Sequence, residues 1–449
     1  MLIEKVSTDL KSEEIFEKII DEKDIIFLDS SDSTSKFSRF SFIFCSPFFK
    51  FSSSSKNSFD ILGNLLNKFE NKQYNEFEFP VGAACGYISY DTGLFLENIV
   101  TKTKDELNWP KIELGFYDFV IVYDHKFNTV YMVSTGLPLK NKFKSKEKAK
   151  KQLDYFYKKI FNNKNSFTDN ENKSFYASKI TSNFSKKEYF NCINKIRKYI
   201  KEGDVFQVNF SQRFYSKINI DSYNLYKKIR KKNKVPFGAY LKFDNKEILC
   251  FSMERFLKIS GNDIETRPIK GTVSRGNTPE EDIKNATQLL LSKKNIAELI
   301  MIVDLERNDI GKVCEYGSVY VEKLYQIEKY ATVYHLVSTI KGKLRKDKKH
   351  IDCLKACFPG GSITGAPKIR SMEIIDELEK VKRNVYCGSI GYFGFNNISD
   401  FNIVIRTILL NKNKLYFNSG GGITYDSNPE SEYEETIHKV RSFFEVLQT

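Results

Sequence analysis

KKEYFNCINKIRKYIKEGDVFQVNFS (186–211) changes periodicity part-way along, and that change sets the fold class. Tyr189, Ile193, Ile196 and Ile200 recur at 4-3-4 spacing, which places them on one helical face, and Gly203 supplies the stop. From Val205 the pattern alternates, with Phe206, Val208 and Phe210 on one side and Gln207, Asn209 and Ser211 on the other. A strand whose second face carries amides and a hydroxyl either meets solvent or lines a site. Upstream, Ile25–Leu28, Phe40–Phe44 and Phe119–Tyr123 are further short strands. Downstream, Thr278-Pro279-Glu280-Glu281 predicts a capping box with Pro at the first helical position. Helices are expected through Asn295–Glu306, ending near Gly311, and from Pro367 with Met372, Ile375 and Leu378 inward. Strands dominate 384–424, Ile403–Arg406 among them. The chain is therefore mixed α/β, with no period of 20–50 residues. It divides into an N-terminal subdomain (1–140), a Lys/Asn-rich connector (141–184) and a catalytic domain (185–449). Within the connector, Asn162–Lys173 has the composition of a solvated linker.

A chain of 449 residues, 41% hydrophobic and 29% charged, buries a large core and is not a disordered sequence. Its net charge of +14 invites a nucleic-acid reading, but the lysines are scattered among Asn, Ile and Phe instead of gathered on one face. No nucleic-acid partner is expected. Eight cysteines without a CxxC pair, and only four histidines, point to free thiols in a reducing cytoplasm. The N-terminus lacks the apolar core of a signal peptide, and no apolar run nears 18 residues, so no membrane association is expected.

Lys270 stands in RPIKGT (267–272), between a Pro and a Gly, with Glu254 sixteen positions earlier in SMERF (252–256). A desolvated Lys sheds its proton and becomes a nucleophile, and a nearby carboxylic acid can protonate a leaving group. A surface Lys beside a turn would have the same local sequence. Gly420-Gly421-Gly422 offers backbone N–H groups to an anion, or is an ordinary strand-to-loop turn; no Gly-Lys-Ser/Thr follows, so it is not a P-loop. Glu432, Glu435 and Lys439 share one helical face, a spacing that a solvated ion pair explains equally well.

From about Lys186 to its end the chain resembles the chorismate-utilising enzymes, the family that holds component I of aminodeoxychorismate synthase and of anthranilate synthase. The strings that carry the resemblance are, in order, GDVFQVNFSQRF, PFGAYL, SMERF, ETRPIKGT, AELIMIVDLERNDIG, YHLVSTIKG, GGSITGAPKIRSMEIIDELE, YCGSIGY and the Gly/Glu run after 418. Before residue 140 the match is looser, through FLDS, FSRF and GYISYD. The resemblance implies one large α/β fold, antiparallel sheets at the core and helices outside, with chorismate as substrate. It implies Mg²⁺ held by Glu298 and Glu435, with Glu432 as a further or supporting ligand. Tyr386, Arg406, Lys439 and the Gly420–Gly422 amides would hold the substrate's carboxylates, with Gly271 and Thr272 near the reacting carbons. His335 matches the family's active-site histidine.

Two positions separate branches of the family. Gln207 stands where water-adding relatives carry a Lys base, and a neutral amide cannot activate water. Lys270 replaces the Ala that anthranilate synthases usually have in PIAGT. The resemblance therefore implies the aminodeoxychorismate branch: Lys270 attacks chorismate, Glu254 acts as acid, and ammonia displaces the Lys. Anthranilate synthase is the alternative. Met253 departs from the more usual Pro. Ala84-Cys85-Gly86 is a poor amidotransferase nucleophile, so ammonia is expected from a separate glutamine amidotransferase subunit. Ser30, Phe37, Ser38, Arg39 and Phe40, with Pro236, Phe237 and Gly238, match the elements of a tryptophan pocket, or form an apolar seam.

Overall fold

Two antiparallel sheets carry the fold. The computed structural model describes residues 1–162, 176–330 and 333–448. A 13-stranded sheet runs from Leu2–Ser7 through Phe119–Asp124, Ile26–Asp29, Phe237–Phe243 and Lys414–Ile423 to Gln207–Asn219. A 10-stranded sheet runs from Ile269–Ser274 through Val333–Lys343, Arg255–Ser260 and Ser389–Gly394 to Ala83–Ile88 and Phe49–Ser53. In each sheet a block of strands from before residue 140 meets a block from after residue 185 at one seam: Ile26–Asp29 pairs with Phe237–Phe243, and Ala83–Ile88 with Ser389–Gly394. Three apolar clusters fill the space between the sheets and under the helices.

The quoted segment folds as its periodicity predicts. Helix Lys186–Lys201 buries Tyr189, Ile193 and Ile196, is capped by Ser185, and ends before Gly203 at φ +84°. Strand Gln207–Asn219 follows; Val208 and Phe210 are buried, but so are Gln207 and Ser211, which excludes the solvent-facing alternative. Phe206, assigned to the apolar side, is 71% exposed, because the strand begins only after it.

Several expectations need correction. Thr278 caps helix Pro279–Leu290 through the Glu281 N–H, but the Glu281 carboxylate reaches back to Asn277 instead, so only half of the capping box forms. Ile403–Arg406 is not a strand: the ladder stops at Asn402 and resumes at Thr407, and Arg406 sits at φ +51°. Gly420–Gly422 is not a turn but the end of strand Lys414–Ile423, paired to Ser211, Phe210 and Asn209. In the connector a helix spans Lys142–Tyr157, whereas the linker proposed over Asn162–Lys173 lies, beyond Asn162, outside the described residues.

Candidate functional site

The two sheets and helices Lys293–Gly311 and Pro429–Lys439 enclose a cavity of about 460 Å³. Its wall includes Glu254, Lys270, Gly271, Thr272, Glu298, His335, Tyr386, Arg406, Gly420, Gly422, Glu432, Glu435 and Lys439. Residues spread over 186 positions of chain thus meet in one place, the arrangement expected of a small-molecule site.

Lys270 is placed by a kink in its strand. The pairings Lys270↔Leu336 and Thr272↔His335 skip Gly271, which takes up the bulge at φ +72°. A Cβ there would lie 2.8 Å from Leu289 Cδ1 and 2.9 Å from Asn295 Cγ, so both backbone and space demand glycine. The Lys270 side chain is half-buried and lines the cavity. Burial pushes its pKa down and Lys439 adds to this, against the opposing charges of Glu298, Glu254 and Glu435.

Glu254 is buried at the end of the strand pairing that carries Arg255. Desolvation raises its carboxyl from the usual 4.5 to about 7, opposed by the Ser362 hydroxyl, the Lys270 charge and the Ile269 N–H. A carboxyl that keeps its proton to about pH 7 and an amine whose pKa burial lowers therefore share one cavity. His335 places Nδ1 2.9 Å from Thr272 Oγ1, while its buried Nε2 has no partner. Burial, with Arg406 nearby, drops its pKa to about 4, so the ring is neutral.

Arg406 has no carboxylate partner among the described residues; burial depresses its pKa, and Tyr386 is the group that opposes the shift. A desolvated guanidinium without a counter-ion is costly unless an anion arrives to match it. Lys439 donates to the Gly420 carbonyl at 2.9 Å and pairs with Glu435 at 2.6 Å. The Gly422 face turns toward Gln207: a Cβ there would collide with the Gln207 amide and come within 3.4 Å of Lys270 Nζ. Gln207 itself is buried, and neither its amide nitrogen nor its oxygen has a partner.

Glu432 Oε2 and Glu435 Oε1 approach one point above Gly421, 3.3 and 3.4 Å from where a Cβ would stand. Burial raises the Glu432 pKa, with Glu435 adding to it and Ser427, donating at 2.6 Å, opposing it. Burial raises that of Glu435 too, but Lys439, with Lys294 and Lys270, more than offsets this and the net shift is downward. Glu298 lies on the other helix beside Lys294, at 4.0 Å. No group of three or more His, Cys, Asp or Glu stands ready to hold a metal among the described residues. Mg²⁺ needs only one or two protein carboxylates and completes its shell with water and substrate oxygens, so Glu432 and Glu435, converging beside a cavity that Glu298 also lines, fit it.

Sequence reasoning passed over the site roles of Ser362, Lys294 and Asn295, which also line the cavity. Asn209 was marked only by the polar face of its strand; it lines the cavity and its buried Oδ1 is unpartnered.

A second cavity, of about 390 Å³, is lined by Ser30, Phe37, Arg39, Phe40, Pro236, Phe237 and Gly238 together with Arg255 and Asp400. Ser38 is not in its wall; it is buried, with an unpartnered hydroxyl. The Phe37 ring meets three cations, 4.1 Å from the Arg267 guanidinium, 4.9 Å from Lys36 Nζ and 5.1 Å from the Arg255 guanidinium. Arg255 follows Glu254 directly and Arg267 leads into Pro268-Ile269-Lys270, so the side cavity abuts the segments that carry Glu254 and Lys270.

Fold and cavity together define a chorismate binding enzyme, and the chain belongs to that family, whose model matches residues 23–445. It is 39% identical to aminodeoxychorismate synthase component 1 of Bacillus subtilis (strain 168), over 84% of this chain and 80% of the relative. It is 37% identical to anthranilate synthase component 1 of Acetivibrio thermocellus, over 87% and 80%. Among solved structures, anthranilate synthase component I from Streptococcus pneumoniae TIGR4 superposes with a TM-score of 0.81 at 30% identity, over 91% of this chain and 92% of that one. No helix among the described residues is long and apolar enough to cross a membrane.

Proposed function

We propose that the protein converts chorismate and ammonia to 4-amino-4-deoxychorismate, on the route to 4-aminobenzoate and folate. The observation that carries this reading is the pairing of Lys270, with its pKa pushed down, and Glu254, held as an acid to about pH 7, in one cavity. Relatives named for both reactions match to similar extents, so overall identity does not choose between them. Lys270 does.

The Lys270 Nζ lone pair attacks C2 of chorismate, the ring double bonds shift, and the C4–O bond breaks as Glu254 delivers a proton and water leaves. Ammonia then bonds to C4, the double bonds shift back, the C2–Nζ bond breaks, and the proton shed by the incoming nitrogen returns to Glu254. The net change is chorismate plus ammonia to aminodeoxychorismate plus water. Two allylic displacements replace one difficult substitution. Arg406, Tyr386, Lys439 and the Gly421–Gly422 backbone hold the carboxylates, which fits an unpaired guanidinium facing the cavity. Neutral His335 donates or accepts a hydrogen bond through its free Nε2 and is not a charged acid. Glu298 and Glu435, assisted by Glu432, would hold Mg²⁺, which supplies positive charge to neutralise the ring carboxylate.

Ammonia comes from a partner glutamine amidotransferase subunit. Cys85 is fully buried in strand Ala83–Ile88, and burial pushes its thiol pKa up, the reverse of an activated nucleophile. The side cavity is the candidate tryptophan pocket. Incubation with chorismate, Mg²⁺ and ammonium tests the reading: aminodeoxychorismate is the expected product, and anthranilate with pyruvate would replace it by the other branch.

A further inference from the structure

Arg383 is fully buried, beyond the end of helix Lys368–Leu378 and outside every string that pointed to the cavity as a set of reactive groups. Its Nε and Nη2 donate to Glu379 at 3.0 and 2.7 Å. Nη2 also donates to the Asn209 carbonyl at 2.6 Å, and Nη1 to the Ile363 carbonyl at 2.8 Å. Glu379 in turn accepts from the Ser211 N–H at 2.9 Å and hydroxyl at 2.8 Å. The guanidinium carbon lies 4.7 Å from the Tyr90 ring centre and 5.9 Å from that of Tyr386.

A buried ion pair is weak evidence for stability, since desolvation offsets much of its attraction. The strand at Asn209 and the turn at Ile363 are already linked by the pairing of Gln207 and Val208 with Ala366 and Gly365 and by the Asn209 N–H donating to the Thr364 carbonyl at 2.8 Å; Arg383 adds a bond to each segment and sets both against the Tyr386 ring. Asn209, Ile363 and Tyr386 all line the central cavity, from a strand, a tight turn and a loop. Asn209 Nδ2 also donates to the Ser362 carbonyl at 3.4 Å, and Ser362, whose buried hydroxyl has no hydrogen-bond partner, lines the cavity with Glu254 and lowers its pKa. We infer that Arg383, braced by Glu379, is a positioning residue: it fixes the Asn209 backbone, the Ile363 turn and the Tyr386 ring relative to one another and so sets the shape of the cavity in which chorismate reacts. The inference rests on the substrate and reaction proposed above, which the wild-type product assay tests separately.

Arg383→Met/Glu379→Leu removes both charges together and leaves no lone buried ion, so loss of the pair is separated from loss of fold. Arg383→Lys keeps a cation beside Glu379 but cannot span the two carbonyls. Each is compared with wild type by thermal midpoint, ammonia-dependent kcat/KM and its pH profile. The double variant is expected to melt below wild type, because the Asn209 and Ile363 carbonyls and the Ser211 N–H and hydroxyl lose their buried partners, yet to stay folded at the assay temperature and lose about 100-fold in kcat/KM, the usual consequence of a misplaced reacting geometry. The lysine variant falls in the same direction. The alkaline limb set by Glu254 moves to higher pH in both, because Ser362 is no longer held against it while Lys270 and Glu306, the charged groups that also act on it, are unchanged. Either variant, folded, with wild-type kcat/KM and limb overturns the inference. Should the double variant not fold, the lysine variant carries the same test. A wild type that makes no aminodeoxychorismate sinks the proposed function instead.

Discussion

Glu254→Gln exchanges catalytic power for stability, in a pH-dependent way. The folded protein raises the Glu254 carboxyl from 4.5 to about 7, chiefly by desolvation. At about 1.4 kcal/mol for each pH unit between those values, the ionised form is disfavoured in the folded state by about 3 kcal/mol. Below pH 4.5 the residue is protonated in both folded and unfolded chains and costs nothing. Between 4.5 and 7 the folded state holds the proton that the unfolded state has lost, so stability falls as pH rises, and the full penalty stands above 7. Glu254→Gln abolishes this term. Urea unfolding of variant and wild type at pH 5 and pH 8 measures it: the variant should gain about 2–3 kcal/mol relative to wild type between the two pH values. Any pH-independent effect of the amide cancels in that difference. Turnover should fall by about 10²–10⁴, the usual worth of a general acid. A variant whose stability relative to wild type is the same at both pH values would refute the claim that Glu254 is held as a neutral acid.

Other consequences follow from the same geometry. Lys270→Ala should sharply lower aminodeoxychorismate formation while leaving the cavity able to bind chorismate, and the residual product, identified by chromatography, should shift toward anthranilate chemistry because the motif becomes PIAGT. Glu435→Gln should raise the Mg²⁺ concentration needed for half-maximal turnover without lowering the thermal midpoint; wild-type activity that survives thorough chelation contradicts the metal assignment. Phe37→Leu removes the ring between Arg255 and Arg267, contacts worth about 0.5–2 kcal/mol each, and should lower kcat several-fold while Phe37→Tyr does not.

How much of this was legible in the chain depends on the range of the interaction. The helix and strand of 186–211 follow from local periodicity, and the reactive residues from ordered strings that place Lys270, Glu254, His335 and Arg406 by resemblance. Gly420–Gly422 reads locally as a turn, and only its pairing with Phe210 and Ser211, about 210 positions away, makes it a strand. Arg406 stands in an apolar run that alternates poorly, and its positive φ is imposed by what surrounds it. Arg383 and Glu379 look like one more i,i+4 surface pair in a lysine-rich chain. Their burial is a property of the assembled sheets. The half-formed box at Thr278 shows the same limit on a smaller scale, since the Glu281 carboxylate accepts from the Asn277 N–H, one position outside the box, and the local sequence does not decide between the two.

The account turns on a covalent bond to Lys270, and intact-protein mass spectrometry after mixing with chorismate and Mg²⁺, in the absence of ammonia, tests it most directly. The predicted result is a mass increase of chorismate less one water, mapped by peptide digestion to Lys270, absent from Lys270→Ala and discharged when ammonium is added. A wild-type protein that makes aminodeoxychorismate at full rate yet never carries that mass, with Lys270→Ala equally active, would contradict it.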